Sequence, residues 1–519
     1  MKPLPPADAM FLLLETRNQP MHVAGLNIFT PPAGSGDSYL EELETTWRHY
    51  TKALPPFNQR PVLRMGIWCW EEDKDFELDY HLRRIALPKP GRIRELLSIV
   101  ARLHGNLLDR NRPLWETYII EGLPGGRFAI YGKIHHALID GVTGNKMMAQ
   151  SLAREPDDIR APLWAFEFPK RAAKEKTSAP DRLIKGLIGA LQAGKEILPG
   201  IGSGLWDVVR SSQTQGDEVL PLQAPPSLFN VDISASRRFA AQSYSLERLK
   251  KLGHASGATV NDITLAICAG ALRRYLLAQD ALPKKPLIAM VPVSLHDATT
   301  HGNQVGMLLA NLGTNVADPI KRLNGIVKST TVAKNRLMKM SRLEKMAHGM
   351  VMMVPAAPLM ITGGARKRPM FNVVISNVPG PKDTLYLNGA RLDEVYPVSI
   401  PTAYMALNIT ITGYGDTLGF GYTACRRSVP NLQRMLDYTD ESIAELESAV
   451  FGLGKGSVAT PKAKKSATIA KAKTKVSAKG KVKTKTVSVK LGSKSIASVK
   501  PVAKSASRAK SKPSPTRKK

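Results

Sequence analysis

The last 65 residues, from Lys455 to Lys519, hold 21 Lys and Arg and no Asp or Glu, with almost no aromatic or large apolar side chain among them. A run such as "KAKTKVSAKGKVKTK" has too little apolar surface to bury to offset the entropy of ordering a chain. We therefore read 455–519 as a disordered tail, so any core must come from residues 1–454. The same partition changes the meaning of the charge. Of the whole chain's +31, the tail's 21 cations leave +10 on the first 454 residues. A pI near 10.0 points towards nucleic acid only if the tail is counted, and no DNA-reading motif occurs in the remainder. The tail itself is expected to bind a polyanion, either an anionic lipid surface or DNA.

Within the foldable part, residues 1–165 alternate strand-like and helix-like runs, "RFAIYGKIHH" and then "NKMMAQSLAR", which predicts a mixed sheet with covering helices. Residues 166–235 loosen into Pro-rich and charged linker. Inside it, "LIKGLIGALQAGKEILPGIGSGLWDVVR" can form amphipathic helices that pack either on the protein's own surface or against lipid. Regular structure resumes over 236–454. The expected fold class is α/β, two mixed-sheet halves joined by a long crossover. Three cysteines, Cys69, Cys268 and Cys425, are far apart and odd in number, which fits neither a disulfide framework nor a CxxC metal site. A reducing cytoplasmic compartment follows. The N-terminal "MKPLPPADAMFLLLETRNQP" lacks the regions of a secretory signal, because Glu15 and Arg17 interrupt its short apolar run. The most apolar later stretch, "HGMVMMVPAAPLMITGG", is broken by Pro355 and Pro358 and falls short of the ~20 helical residues that span a bilayer.

One short segment carries chemistry. In "KIHHALIDGVTG", residues 133–144, a strand over 128–136 would place Phe128, Ile130, Gly132, Ile134 and His136 on one face and Tyr131, Lys133 and His135 on the other. The two histidines are then not equivalent, and their divergence opposes a metal site built from His135, His136 and Asp140. Asp140-Gly141 reads as the turn after the strand, with a helix starting between Thr143 and Lys146. A neutral imidazole at a strand end suits a general base, since its ordinary pKa of about 6.5 leaves it unprotonated yet basic at neutral pH. Asp140 would either orient that imidazole or brace the turn from outside. No GxSxG elbow and no HExxH spacing occurs.

"HHALIDG" resembles the HHxxxDG signature of the bacterial wax ester synthase/acyl-CoA:diacylglycerol acyltransferase family, within the wider group of chloramphenicol-acetyltransferase-like folds. The similarity continues, in the same order, through "DAMFLLLETRNQPMHVAGLNIF", "RPLWETYIIEGL", "TVNDITLAICAGALRRYL", "VPVSL" with "GNQVG", "NVVISNVPGP", "YPVSI", "LNIT" and "GDTLGFG". It spans about residues 5–450 and leaves the tail outside. His296, after "VPVSL", departs from the Arg expected there.

What this resemblance implies is two halves with an active-site channel between them. Through it a fatty acyl group would pass from its CoA thioester to a fatty alcohol or to diacylglycerol, for storage lipid. His136 would be the base. His135, Asp140, Gly141, Asn261, Asp262 and Asn377 would support the site. For Asn261 an N-cap competes with a polar role, and for Asn377 the shaping of a turn. The resemblance turns the Asp140 carboxylate outward to fix the loop, with Gly141 permitting a tight backbone. Pro113, Leu114 and Trp115 read as packing beneath the site or as channel contacts. Gly144 would leave room for an acyl chain, and Ala356 and Ala357 would touch the alcohol. Thioester acyl transfer needs no metal or redox cofactor. The expected location is the inner-membrane or lipid-inclusion surface, bound peripherally. The rival use of such a scaffold, condensation on a carrier-bound peptide, is disfavoured by the lipid-family blocks outside the signature.

Overall fold

In a computed structural model of the chain the described residues are 2–36, 38–168, 219–294, 305–339, 359 and 362–452. The expectations for the amphipathic crossover, for His296, for Ala356 and Ala357, and for the basic tail lie outside them.

The strands, in chain order, are β1 (Lys2–Pro3), β2 (His22–Thr30), β3 (Gln59–Arg64), β4 (Ile67–Glu72), β5 (Leu82–Ala86), β6 (Trp115–Glu121), β7 (Phe128–His135) and β8 (Arg237–Ser245). They continue with β9 (Ile288–Ser294), β10 (Val305–Asn311), β11 (Val373–Val378), β12 (Tyr386–Leu387), β13 (Ala390–Val398), β14 (Leu407–Tyr414) and β15 (Thr417–Cys425). They form two six-stranded sheets, β12-β13-β2-β7-β6-β5 and β10-β9-β11-β14-β15-β8, with a small third sheet β1-β4-β3. Both large sheets are mixed: β5 runs parallel to β6, and β11 parallel to β9 and β14, amid antiparallel neighbours.

Sheets and chain halves do not coincide. The first sheet takes β12 and β13 from beyond residue 236, and β13 lies against β2 with Leu26 opposite Tyr396 and Asn27 opposite Val395. The residues of β13 explain why it is accepted there. Leu392 and Val395 enter the core under the helix Tyr39–Arg48, while Tyr396 and Val398 enter the core on the other face. A strand apolar on both faces needs cover on both, which an interior position supplies. That second core also includes Phe239 and Ala241 of β8 and Leu96, Leu97 and Val100 of the helix Ile93–His104, so it fuses the two sheets.

The largest core belongs to the second sheet, which packs on the helices Val260–Leu277, Pro319–Lys339 and Arg434–Val450. Val260–Leu277 is buried almost all round, from Asp262 to Leu272, the pattern of an internal helix. Among the described residues no single helix is long and apolar enough to cross a membrane. Cys69, Cys268 and Cys425 are buried free thiols.

Candidate active site

β7 ends at His135, and His136 is the first residue past it. The period-two pattern holds along the strand: Ile130, Gly132 and Ile134 line a cavity, while Tyr131, Lys133 and His135 are fully buried on the opposite side. His136 is held by its backbone, whose N–H donates to the Met21 carbonyl at 2.8 Å. Its ring stacks on Phe11, with centroids 4.1 Å apart and planes at 20°. Burial pushes its pKa below the ordinary histidine value, against the upward pull of the Asp140 charge, and its Nδ1 is buried without a protein partner. The result is an imidazole kept neutral and free to take a proton.

His135 does different work. Its Nδ1 accepts the Ala137 N–H at 3.1 Å, which places the ring proton on Nε2. Nε2 lies 3.2 Å from Glu15 Oε2, off the line of a well-directed hydrogen bond. The same oxygen accepts the Met21 N–H at 3.0 Å, and Oε1 accepts Nε and Nη2 of Arg110 at 3.1 and 3.0 Å. Burial alone would raise the pKa of Glu15, but His135, the Met21 N–H and Arg110 together hold it below the usual carboxylate range. Glu15 thus ties the strand end to the loop at Met21, and Met21 in turn grips His136. Sequence reasoning used Glu15 only as an interruption of an apolar run. A lone acid inside "FLLLETRN" was the available sign that donors elsewhere in the chain wait for it. Among the described residues no group of three or more His, Cys, Asp and Glu is placed to hold a metal.

The turn after His136 differs in detail from expectation. The helix is Gly141–Ser151, starting before Thr143 because Asp140 is its N-cap: Oδ1 accepts the Thr143 N–H and Oδ2 the Thr143 hydroxyl, both at 2.8 Å. The Asp140 carboxylate is therefore spent on the helix start. Gly141 has an ordinary negative φ, so no tight backbone calls for it; a Cβ there would meet nothing within 4 Å. Gly141, Gly144, Asn145, Met148 and Ser151 share the helix face that lines the cavity.

The remaining expected residues scatter. Asn261 is not the cap of its helix; Thr259 is, in a capping box with Asp262. Asp262 also accepts the Thr330 hydroxyl at 2.8 Å, which joins two helices of the second sheet's core. Asn377 does not shape a turn, for it lies in β11 opposite Ile411. Pro113, Leu114 and Trp115 are buried, Leu114 packs with Ala137 of the His136 loop, and Trp115 Nε1 donates to the Phe57 carbonyl at 2.8 Å. None of these six residues lines the cavity.

The cavity, of about 180 Å³, lies between the two large sheets. Val23, Gly25, Asn27 and Phe29 of β2 and Ile130, Gly132 and Ile134 of β7 form one wall, Met148 and Trp164 another, and Val378, Thr410 and Thr412 the side towards the second sheet. Asn145 clasps the two sides, its Nδ2 donating to the Pro379 carbonyl and to the Thr412 hydroxyl, each at 3.2 Å. His136 does not itself line the cavity; around it, Ile134 at the end of β7, Ile139 of the loop and Gly141 at the helix start do.

Two family models cover this framework: the wax ester synthase/diacylglycerol acyltransferase catalytic domain matches residues 4–264, and the WS/DGAT C-terminal domain matches residues 301–447. The chain belongs to the wax ester synthase/diacylglycerol acyltransferase family. As a member of it, the protein is an O-acyltransferase. The O-acyltransferase WSD of Acinetobacter baylyi is 42% identical over 457 residues, which cover 87% of this chain and 98% of that protein. A putative diacylglycerol O-acyltransferase of Mycobacterium tuberculosis is 44% identical over 452 residues, covering 86% of this chain and 99% of its own. Among solved structures, a wax ester synthase/diacylglycerol acyltransferase from Marinobacter aquaeolei VT8 superposes with a TM-score of 0.72 at 42% identity, covering 87% of this chain and all of that one. The first condensation domain of the CDA synthetase shares the fold alone, with a TM-score of 0.50 at 15% identity over 86% of this acyltransferase and 96% of that domain.

Proposed function

We propose that this acyltransferase moves a long-chain fatty acyl group from acyl-CoA to the hydroxyl of a fatty alcohol or diacylglycerol, with His136 as general base. The carrying observation is the neutral His136, with an unpartnered ring nitrogen, held between Ile134 and Ile139, both walls of a largely apolar cavity. The acceptor oxygen attacks the thioester carbon as His136 takes its proton. The tetrahedral oxyanion then collapses, the C–S bond breaks, and the imidazolium returns the proton to the departing sulfur, leaving an ester and free CoA. Every proton and electron pair is accounted for by these groups, so the step needs neither metal nor redox cofactor. The acyl chain would occupy the cavity, and storage lipid would be the product.

The test is purified enzyme with palmitoyl-CoA and either hexadecanol or dipalmitoylglycerol, following thiol release and the lipid formed. Wild type is expected to form ester with at least one acceptor, and His136→Ala to lose about 10²- to 10⁴-fold in kcat while remaining folded. An His136→Ala enzyme with wild-type turnover refutes the assignment of the base. Wild type that releases no CoA thiol with either acceptor refutes the reaction.

A further inference from the structure

Of the polar residues that line the cavity, Asn27 alone has a buried side-chain atom without a partner among the described residues. Asn27 is only 6% exposed, its side chain faces the cavity, and its Oδ1 has no partner within the protein. Its cross-strand neighbours are Ile130 and Val395. Two residues along the same face, Gly25 sits opposite Gly132. A Cβ added at Gly132 would meet nothing within 4 Å, and one added at Gly25 would first meet the Asn27 amide, Nδ2 at 3.7 Å and Oδ1 at 4.0 Å. The amide therefore leans over a floor from which two side chains are missing. Buried amides in native proteins are hydrogen-bonded with few exceptions, and an exception aimed into a cavity points to something that enters it.

We propose that Asn27 is a subsite for a hydroxyl carried along a lipid chain, remote from the reacting carbon and donating to Asn27 Oδ1. This deepens the acyl-transfer reading and rests on it. The position fixes where the oxygen must lie. Asn27 is level with Ile130, and Ile134, the last cavity residue of β7 before His136, is four residues or roughly 13 Å further along the strand. The recognised oxygen is thus in the distal part of the chain and is chemically a spectator. A plain alkyl chain would cover the Asn27 amide without pairing it, whereas a hydroxylated chain would pair it. Two sources share this chemistry, a hydroxylated acyl donor and a diol acceptor.

The experiment compares the full chain with its Asn27→Leu and Asn27→Val variants. Donors are hexadecanoyl-CoA and its analogues hydroxylated at successive carbons from the middle to the end; acceptors are hexadecanol and the corresponding terminal diol. The readout is the ratio of kcat/KM for hydroxylated over plain substrate on each enzyme, which cancels any loss of folded protein. Losing the pairing is expected to lower that ratio about tenfold in both variants. A fall confined to the hydroxylated donors assigns the subsite to the acyl chain, and one confined to the diol assigns it to the acceptor. Equal ratios in all three enzymes, with measurable turnover of plain substrate, overturn the subsite and leave the acyl-transfer reading standing. Absence of turnover in wild type overturns that reading instead. The subsite is then decided by equilibrium binding of hexadecanoate against its terminally hydroxylated analogue, where an unchanged preference in Asn27→Leu refutes it.

Discussion

Replacing Glu15 by Gln keeps the shape of the side chain and removes what the cluster around it needs. The carboxylate, only 2% exposed, faces four donors on two oxygens: Met21 N–H and His135 Nε2 on one, and Nε and Nη2 of Arg110 on the other. A neutral amide offers one oxygen. Turned towards Arg110, it sets its NH2 against the Met21 N–H and the His135 ring N–H; turned the other way, it sets the NH2 against Arg110. Hydrogen bonds to a charged group contribute about 1.5–3 kcal/mol each; of the three well-directed ones, one from Met21 and two from Arg110, either orientation turns at least one into donors facing donors. Arg110 is about one-third exposed and can turn to water, which discounts its share. The net loss is about 3 kcal/mol, read as the change in unfolding free energy from urea titration at pH 7.5. Catalysis is hit separately, because the Met21 backbone that Glu15 holds is the one that grips His136 at 2.8 Å. A displacement of the proposed base by about 1 Å costs on the order of 10²-fold, so kcat should fall far more than KM rises. Glu15→Asp, which keeps the charge, should recover part of both. A Glu15→Gln enzyme within 0.5 kcal/mol of wild type and with unchanged kcat would refute the claim that this buried carboxylate positions the site.

Enlarging Gly144 to Leu pushes a side chain past Ile139, whose Cγ2 would already lie 3.4 Å from an added Cβ, into the cavity; kcat/KM should shift towards shorter acyl-CoA by about tenfold or more, and an unchanged chain-length profile would show that the chain lies elsewhere. Acid should destabilise the fold early. Burial lowers the pKa of His81 to about 4 and of His104 to about 3, and drives that of His22 well down. These histidines are neutral in the native state and protonate on unfolding, so their stability is present above about pH 6.5 and is lost as pH falls towards 4 and 3. Between pH 7 and 5 each costs about 2 kcal/mol, and urea midpoints equal at the two pH values would contradict it. Glu15, with its lowered pKa, adds its loss only below the ordinary carboxylate range near pH 4.3. Removing residues 455–519 should leave activity on detergent-dispersed substrate nearly unchanged while weakening sedimentation with anionic vesicles and retention on DNA at low salt; lost soluble activity would place the tail in the working enzyme.

The strand that carries the histidines was legible because its pattern is local. Period-two alternation in eight residues is enough to send His135 and Lys133 one way and Ile130, Gly132 and Ile134 the other, and the walls of the cavity follow. The membership of the first sheet was not legible. β13 reaches β2 from more than 350 residues away in sequence, and nothing within "ARLDEVYPV" names its partner; only its two apolar faces say that it must be interior. Helix starts fall between these cases. "TVND" and "DGVT" both carry their caps in plain view, a Thr three residues before an Asp and an Asp three residues before a Thr. In the first, attention to Asn261 misses the cap at Thr259; in the second, Asp140 reads as bracing the turn, and its capping of Thr143 is the form that takes.

Polar groups inside the apolar interior were the hardest to read, and for one reason. Their partners are remote in sequence: Glu15 with Arg110 and His135, Asn145 with Pro379 and Thr412. A buried charge or amide is tolerated only when such a partner exists, so each isolated polar residue in an apolar run is half of a contact whose other half the run does not contain. That logic runs in both directions. Where the fold supplies the partner, as for Glu15, the residue holds the structure together, and where it supplies none, as for Asn27 facing the cavity, the missing half is most simply something that binds there.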